Sequence, residues 1–446
     1  MPAVELGLPL WPRRSSSAYL AWPKVTDLFP ARFSGIKPAR DEFLVDIDRA
    51  ALDERIREYF DRQVSDEAMA RVSAVAMKDT ARFNAAEVRA VLRKRGLNEK
   101  GFVRYCYRPF DHRWLYWELE TELLDRRRED YHPQFFVGNR FMAVVDRPRR
   151  GYDGPLVATL PCSYHINELS ARLLPERLKP ADGGDLFSAG TGSVENLAAK
   201  TLEYGGSLAK PATEQLVFPH AIAILHAPAY AGENDGALSQ DEPRIPLPAK
   251  HKQLAASAAL GEELARLLDP ETPAPGVSTG TIRPELKVLG VLTRTDGKQV
   301  NPKVGHLDIT AGWGHAGKGG VTMPARGKSV EREYTKDEVA ALTHGGAEWR
   351  SLLGQTTRDI YLNDHAYWAN VPERVWEYTL GGYQVIKKWL SYRVRELLGR
   401  GLTVEEARYV GEMVRRIAAI LLLGPALDAN YAAVKADTWP WPGGTA

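Results

Sequence analysis

The sequence predicts a mixed α+β protein. Three observations lead there. Residues 41–100 carry apolar side chains at helical spacing. Residues 101–175 and 281–336 set bulky residues at near period-two spacing between turns. Residues 337–446 return to helical stripes. The chain has 446 residues, 44% hydrophobic and 26% charged, which is enough apolar material for about two or three buried cores and excludes wholesale disorder. Net charge is +2, so a surface for a polyanion must come from local clustering. Two cysteines, Cys106 and Cys162, exclude a disulfide scaffold and a four-thiolate zinc site and fit a reducing compartment. No stretch approaches the ~18 apolar residues of a membrane span. The N-terminus lacks the basic start and apolar core of a signal peptide, so a cytoplasmic protein without a membrane partner is expected.

In chain order, residues 1–40 are rich in Pro, Trp and Phe. Their prolines forbid a long helix, and the segment reads as an extended strap pinned by its aromatic rings. Leu52, Ile56, Tyr59 and Phe60 form a helical stripe with Asp48 as its N-cap, and a second helix runs from Asn84 to Gly96. GFVRYCYRPFDHRWLYW reads as two short strands broken at Pro109 and Asp111, with RFMAVVD and GPLVATLP as further strands. The Gly-, Ala- and Ser-rich stretch 176–212 reads as a loop or insertion. An apolar helix containing His220 and His226 follows, ended by Pro228. DEPRIPLPAKH is an extended link, and a helix runs from about Gln253 to Leu268 before a Pro-rich loop. Residues 281–336 read as strands with Gly- and Lys-rich turns, and 337–446 as helices. The expected organisation is an extended and helical connector over 1–100 and a recognition unit over 101–446.

The familiar catalytic signatures fail on inspection. Gly312, Gly314 and Gly317 spell GxGxxG, but Pro324 follows too soon for the helix that a dinucleotide site requires. The same stretch nearly matches a P-loop, with Gly319 in place of the magnesium-binding Ser or Thr. A basic loop between strands is the simpler reading. His220 and His226 are six residues apart and point in different directions on a helix, so they read as packed or surface histidines. His165, Asn167 and Glu168 have no second ligand pair nearby. No Pro-Pro dipeptide occurs, so the Asx-Pro-Pro-aromatic loop of amino-methylating enzymes is missing. No GxSxG elbow and no paired-cysteine motif occur either. No catalytic residue and no metal ligand is assigned.

What remains is basic and aromatic. Arg126, Arg127 and Arg128 run together, and Arg147, Arg149 and Arg150 follow. A single charge cluster is most often a solvated face. Several clusters on turns point to a polyanion, because Lys and Arg neutralise phosphates while Arg forks onto guanine edges.

At Tyr107–Trp117, YRPFDHRWLYW resembles the YRPFD-x-R motif of type ISP restriction–modification enzymes and related adenine-specific DNA methyltransferases. The segment YLAWPKVTDLFPARFSGIKPARDEFLVDID resembles their join between methyltransferase and specificity domains. AILHAPAY, EPRIPLP, VPERVWEYTLGGYQVIKKWLSYR and RRIAAILLLGPALDANY resemble the specificity domain itself, in the same order along most of the chain. The resemblance implies a target-recognition domain that reads a short asymmetric site in double-stranded DNA, in a system of phage defence. It also implies a methyltransferase partner using S-adenosylmethionine, with a helicase and nuclease in some members. No cofactor is expected in this chain, because the methyl-donor and NPPY-type motifs are absent from it.

With that reading, the candidate DNA contacts on turns and links are Arg126, Arg127, Arg128, Arg140, Lys250, Lys252, Arg326 and Lys328, with Lys318 in the Gly-rich loop. Arg108 and Arg113 are candidates too, and they also read as partners of Asp111 bracing a domain joint. Lys387, Lys388 and Arg393 either flank a groove or cap the outer face of a helix. Two other classes stay open. One is a protein-binding adaptor docking through the aromatic strap. The other is a complete methyltransferase or nuclease with an unrecognised site.

Overall fold

A computed structural model describes residues 16–146, 148, 151–167, 171–179, 192–317 and 322–442. Helices and strands alternate in blocks along the chain, and the mixed α+β class holds. The expectations on Arg147, Arg149, Arg150, Glu168, Lys318 and Gly319, and on residues 180–191 of the Gly-rich stretch, lie outside the described residues.

From residue 16 the strap folds as two short helices, Ser17–Ala21 and Val25–Leu28, and a two-residue strand, Phe33–Ser34. Its rings reach distant parts of the chain. Trp22 meets Tyr431 edge-on with centroids 6.3 Å apart, and Phe29 meets Phe218 at 5.6 Å. The helix Arg49–Phe60 starts where Asp48 accepts a hydrogen bond from the Ala50 amide at 2.8 Å. It buries the stripe Leu52, Ile56, Tyr59 and Phe60. The helix Ala85–Arg95 opens on Asn84 and stops at Gly96, whose φ of 89° suits glycine alone.

The strands Phe102–Arg108 and Asp111–Tyr116 pair antiparallel, and Val45–Asp46 adds a third strand to the second of them. A four-stranded sheet follows the order Phe33–Ser34, Arg172–Pro175, Phe141–Val144, Leu156–Ala158, so the strap supplies one edge. A second runs Val291–Arg294, Ala366–Pro372, Thr357–Tyr361, Ser329–Arg332. Between the sheets lies a helical core. The helices Val217–Leu225 and His251–Leu268 approach so closely that a Cβ on Gly261 would fall 1.7 Å from the Pro219 carbonyl oxygen. The stretch Val404–Ala436 is long and apolar enough by composition to cross a membrane. Half of its apolar window is buried in this structure, where Val410, Met413, Val414 and Ile417 join the core.

Several expectations need correction. Pro228 does not end the apolar helix. That helix stops at Leu225, and Pro228 is the first residue of the next, Pro228–Leu238, where its missing amide costs nothing. Within 176–212, residues Ala199–Ser207 are helical rather than looped. The Thr201 hydroxyl donates to the Leu28 carbonyl and the Tyr204 hydroxyl to the Pro248 carbonyl, and this docking overrides the glycines. Residues 337–446 are not all helical, since two strands of the second sheet, Thr357–Tyr361 and Ala366–Pro372, lie there. The stripe expected through EYTLGGYQVIKKWL is cut at Gly381–Gly382. Both glycines have positive φ and turn a small hairpin, Thr379–Leu380 with Tyr383–Gln384.

Both histidines of the apolar segment are packed. His220 bonds Ser257 Oγ at 2.7 Å and the Pro246 carbonyl at 2.9 Å, and His226 bonds the Pro155 carbonyl at 2.7 Å. Burial pushes each imidazole down to about 4. The GxGxxG stretch forms part of a strand hairpin, Gly314–Ala316 with Thr322–Pro324.

Candidate nucleic-acid interface

The turn between the Phe102–Arg108 and Asp111–Tyr116 strands organises the site. Phe110 takes a φ of 60° and buries its ring, which anchors the turn and sets Arg108 opposite Asp111 in register. The Asp111 carboxylate, 2% exposed, serves two arginines. One oxygen accepts from Arg113 Nε at 3.1 Å and Nη2 at 2.7 Å, and the other accepts from Arg393 Nη2 at 2.7 Å. Burial alone would raise the Asp111 carboxyl. The charges of Arg113 and Arg393 outweigh it and hold the group well below the usual carboxylate range. Arg113 therefore pairs with Asp111 and braces the turn between the two strands. Arg393 is not on an outer helix face; it lies behind the wall of a groove that Trp389, Glu406 and Tyr409 also line. It is 3% exposed, drawn inward by Asp111 and stacked 3.8 Å over Trp389.

Arg108 differs. Among the described residues no carboxylate pairs with it. It donates to its neighbour's carbonyl, that of Tyr107, at 2.6 Å and to Ser163 Oγ at 3.5 Å, and its Nε has no partner. Its guanidinium lies 4.2 Å over the Tyr107 ring and 5.6 Å from that of Tyr383. Arg113 lies 3.8 Å over Tyr107 and 4.3 Å over Tyr392. Lys388 lies 4.6 Å over Tyr392 and 5.7 Å from Tyr383. Tyr107 and Tyr392 meet edge-on at 5.7 Å. Three cations and three tyrosines, from opposite ends of the chain, thus interleave at one place.

Two arms extend this cluster. On one side Lys388 donates to the Thr322 carbonyl at 3.4 Å, and a Cβ on Gly314 would fall 2.2 Å from the Ser391 carbonyl oxygen. The hairpin therefore lies flush against the Lys388 helix, Val385–Ser391. Arg326, just past the hairpin, is exposed and has no side-chain partner among the described residues, and Lys387 is half-buried and likewise unpaired. On the other side Ser163 bridges Ile36 of the strap, whose neighbour Gly35 accepts from Arg128 Nε at 3.0 Å. Lys37 pairs with Asp125 at 3.1 Å, and its amide donates to the carbonyl of Arg126, whose side chain is exposed and unpaired. Arg127 is held by Glu129 and, at 3.7 Å, by Glu122.

The remaining candidates fall elsewhere. Arg140 is not free to reach out. Its guanidinium forks onto Glu176 at 2.8 Å and onto Glu262 at 2.6 and 2.8 Å. Lys250 pairs with Asp437 at 2.5 Å. Lys252 is exposed but stands on the helix His251–Leu268 rather than on a link, because that helix starts two residues earlier than its stripe suggests. Lys328 pairs with Asp364 at 2.8 Å and lies 4.6 Å over Tyr361. Sequence reading missed Tyr383, Tyr392 and Lys37. The first two bracket Lys387 and Lys388 in GGYQVIKKWLSY, which was their only signal.

Small sheets around a helical core thus carry cations interleaved with aromatic rings, an arrangement suited to an anionic ligand. The chain belongs to the family described as the Type ISP C-terminal specificity domain, whose model matches residues 27–410. Among solved structures it is similar to a DrdV–DNA complex determined by cryo-electron microscopy, at 18% identity and a TM-score of 0.56, covering 90% of this chain and 36% of that one. It is also similar to a nuclease-deletion mutant of the Type ISP restriction–modification enzyme LlaGI in complex with a DNA substrate mimic. There the identity is 15% and the TM-score 0.55, covering 93% of this chain and 34% of that one. A third similar structure is the ATP-dependent Type ISP enzyme LlaBIII bound to DNA, at 14% identity and a TM-score of 0.56, covering 91% and 23%. This chain thus spans little more than a third of those larger chains at most. No curated protein matches it.

Proposed function

We propose that this chain reads a target sequence in double-stranded DNA for a restriction–modification system. The observation that carries the reading is the convergence of Arg108, Arg113 and Lys388 on Tyr107, Tyr383 and Tyr392, flanked by the unpaired Arg126 and Arg326. Packing and the Asp111 pair hold the centre rigid, as selective recognition requires. The exposed cations on both arms hold phosphates and set the register of the duplex, while side chains of the hairpin and the tyrosine cluster meet base edges. Bond-making belongs to a methyltransferase, in some systems with helicase and nuclease, in the same polypeptide or a partner subunit. S-adenosylmethionine binds there, where the target adenine is flipped out of the stack. That the similar structures hold DNA, and that two of them are Type ISP restriction–modification enzymes, supports the DNA reading.

Fluorescence anisotropy with labelled duplex tests it. Affinity falls linearly in log–log salt, with about −0.9 of slope per phosphate contact. The variant Arg126→Ala lowers the slope by one contact at every sequence. An affinity for duplex DNA that ignores salt overturns the reading.

A further inference from the structure

Beside the Lys37 arm lies a cavity of about 470 Å³ whose lining includes Arg40, Lys78, Arg82, Phe83, Glu122 and Asp125. Arg40 is only 6% exposed. It donates to the Leu123 carbonyl at 2.8 Å and stacks 3.4 Å over the Phe83 ring, yet its Nε has no partner. Two more cations stand on the walls. Lys78 and Arg82 are exposed, and neither has a side-chain partner among the described residues. The two acids present are engaged elsewhere: Asp125 pairs with Lys37 at 3.1 Å, and Glu122 faces Arg127 at 3.7 Å. Arg40 also reaches the Glu122 carbonyl at 3.5 Å, so the fold holds it in place, while the two free cations beside it leave the walls with three cations against two acids.

We propose that this cavity is a binding site for a sugar-phosphate group. Three cations match the charge of a phosphate, and the volume accepts the phosphate together with the pentose that carries it. Lys78 and Arg82 take the phosphate oxygens at the mouth, while the Arg40 guanidinium, fixed over Phe83 in the lining, adds its charge behind them. Asp125 on the wall is followed directly by the exposed Arg126, so a DNA strand lying along that arm passes the cavity. This last step rests on the DNA reading above, whereas the site itself does not.

The double variant Lys78→Ala/Arg82→Ala removes two exposed side chains and leaves Arg40 and the core in place, so its melting curve and circular dichroism match those of the parent chain. In one arm the full chain is titrated calorimetrically with deoxythymidine monophosphate, with deoxythymidine as the phosphate-free control at equal ionic strength. The expected result is binding of the nucleotide and not the nucleoside, weakened at least about tenfold in the double variant. In the other arm the log–log salt slope for duplex DNA falls by about 1.8, two contacts at about 0.9 each, with sequence preference unchanged. A loss in the first arm alone identifies free nucleotides as the source of the phosphate, and a loss in the second alone identifies the DNA backbone. Parent and variant indistinguishable in both arms overturn the proposal. Should the parent chain bind no DNA at all, the DNA reading falls while the nucleotide arm still judges the cavity.

Discussion

Replacing Asp111 by Asn isolates the brace at the centre of the site. The change keeps the shape of the side chain and removes the charge that Arg113 and Arg393 share. Two guanidiniums, 11% and 3% exposed, are then left near each other without the carboxylate they share. Breaking a buried pair of this kind costs about 3–5 kcal/mol. With an unfolding entropy of about 2.1 cal/mol/K per residue, 446 residues give about 0.9 kcal/mol/K. The melting temperature therefore falls by roughly 3–5 °C if the chain unfolds as a unit. The pH dependence has a defined sign. The Asp111 carboxyl is depressed in the folded state, so its stabilisation is complete above its unfolded value near 3.9 and is lost as pH falls toward the folded value. The gap between parent and variant stays constant from pH 7 to about 5 and narrows below about 4. Scanning calorimetry across this range measures both. Adding Arg393→Leu to the variant costs less than it does in the parent, because the stranded charge is already a liability. A variant that melts within about 1 °C of the parent at pH 7 refutes the brace.

Other outcomes follow from the same structure. Arg140→Ala strips Glu176 and Glu262 of their common partner, so it lowers the melting temperature and leaves the DNA salt slope untouched. Arg126→Ala does the opposite, with stability changed by no more than about 0.5 kcal/mol. His220 and His226, buried neutral and pushed down to about 4, contribute stability that is complete above their unfolded value of 6.5 and is lost as pH falls toward 4. Melting temperature therefore drops through that window, and a flat profile there contradicts the packing. Gly261→Ala improves helix propensity but drives a methyl group into the Pro219 carbonyl, so it destabilises the chain in denaturant melts.

How legible these features were in the sequence depended on how local their causes are. The helix Arg49–Phe60 and its Asp48 cap, the hairpin broken at Pro109, and the helix ended by Gly96 were readable because caps, prolines and stripes act within a few residues. The strands Thr357–Tyr361 and Ala366–Pro372 were not. They are short, they lie between amphipathic helices, and only their partners Val291–Arg294 and Ser329–Arg332 make them a sheet. The site followed the same rule. The arginine of the Arg108 turn was visible as a motif, but its tyrosine neighbours Tyr383 and Tyr392 arrive from the far end of the chain. Arg140 looked like a free cation because Glu176 and Glu262, which claim it, are distant in sequence. Residue type and turn position identify which cations exist, and only the tertiary fold decides which have carboxylates waiting for them.

The most direct test of the central claim is selection from a randomised duplex pool by the purified chain, repeated at stepped salt. Enrichment of one short asymmetric motif, with retention that declines as salt rises, is the predicted result. Failure to retain any duplex at low salt, or retention with no motif enriched, contradicts the assignment of target reading to this chain.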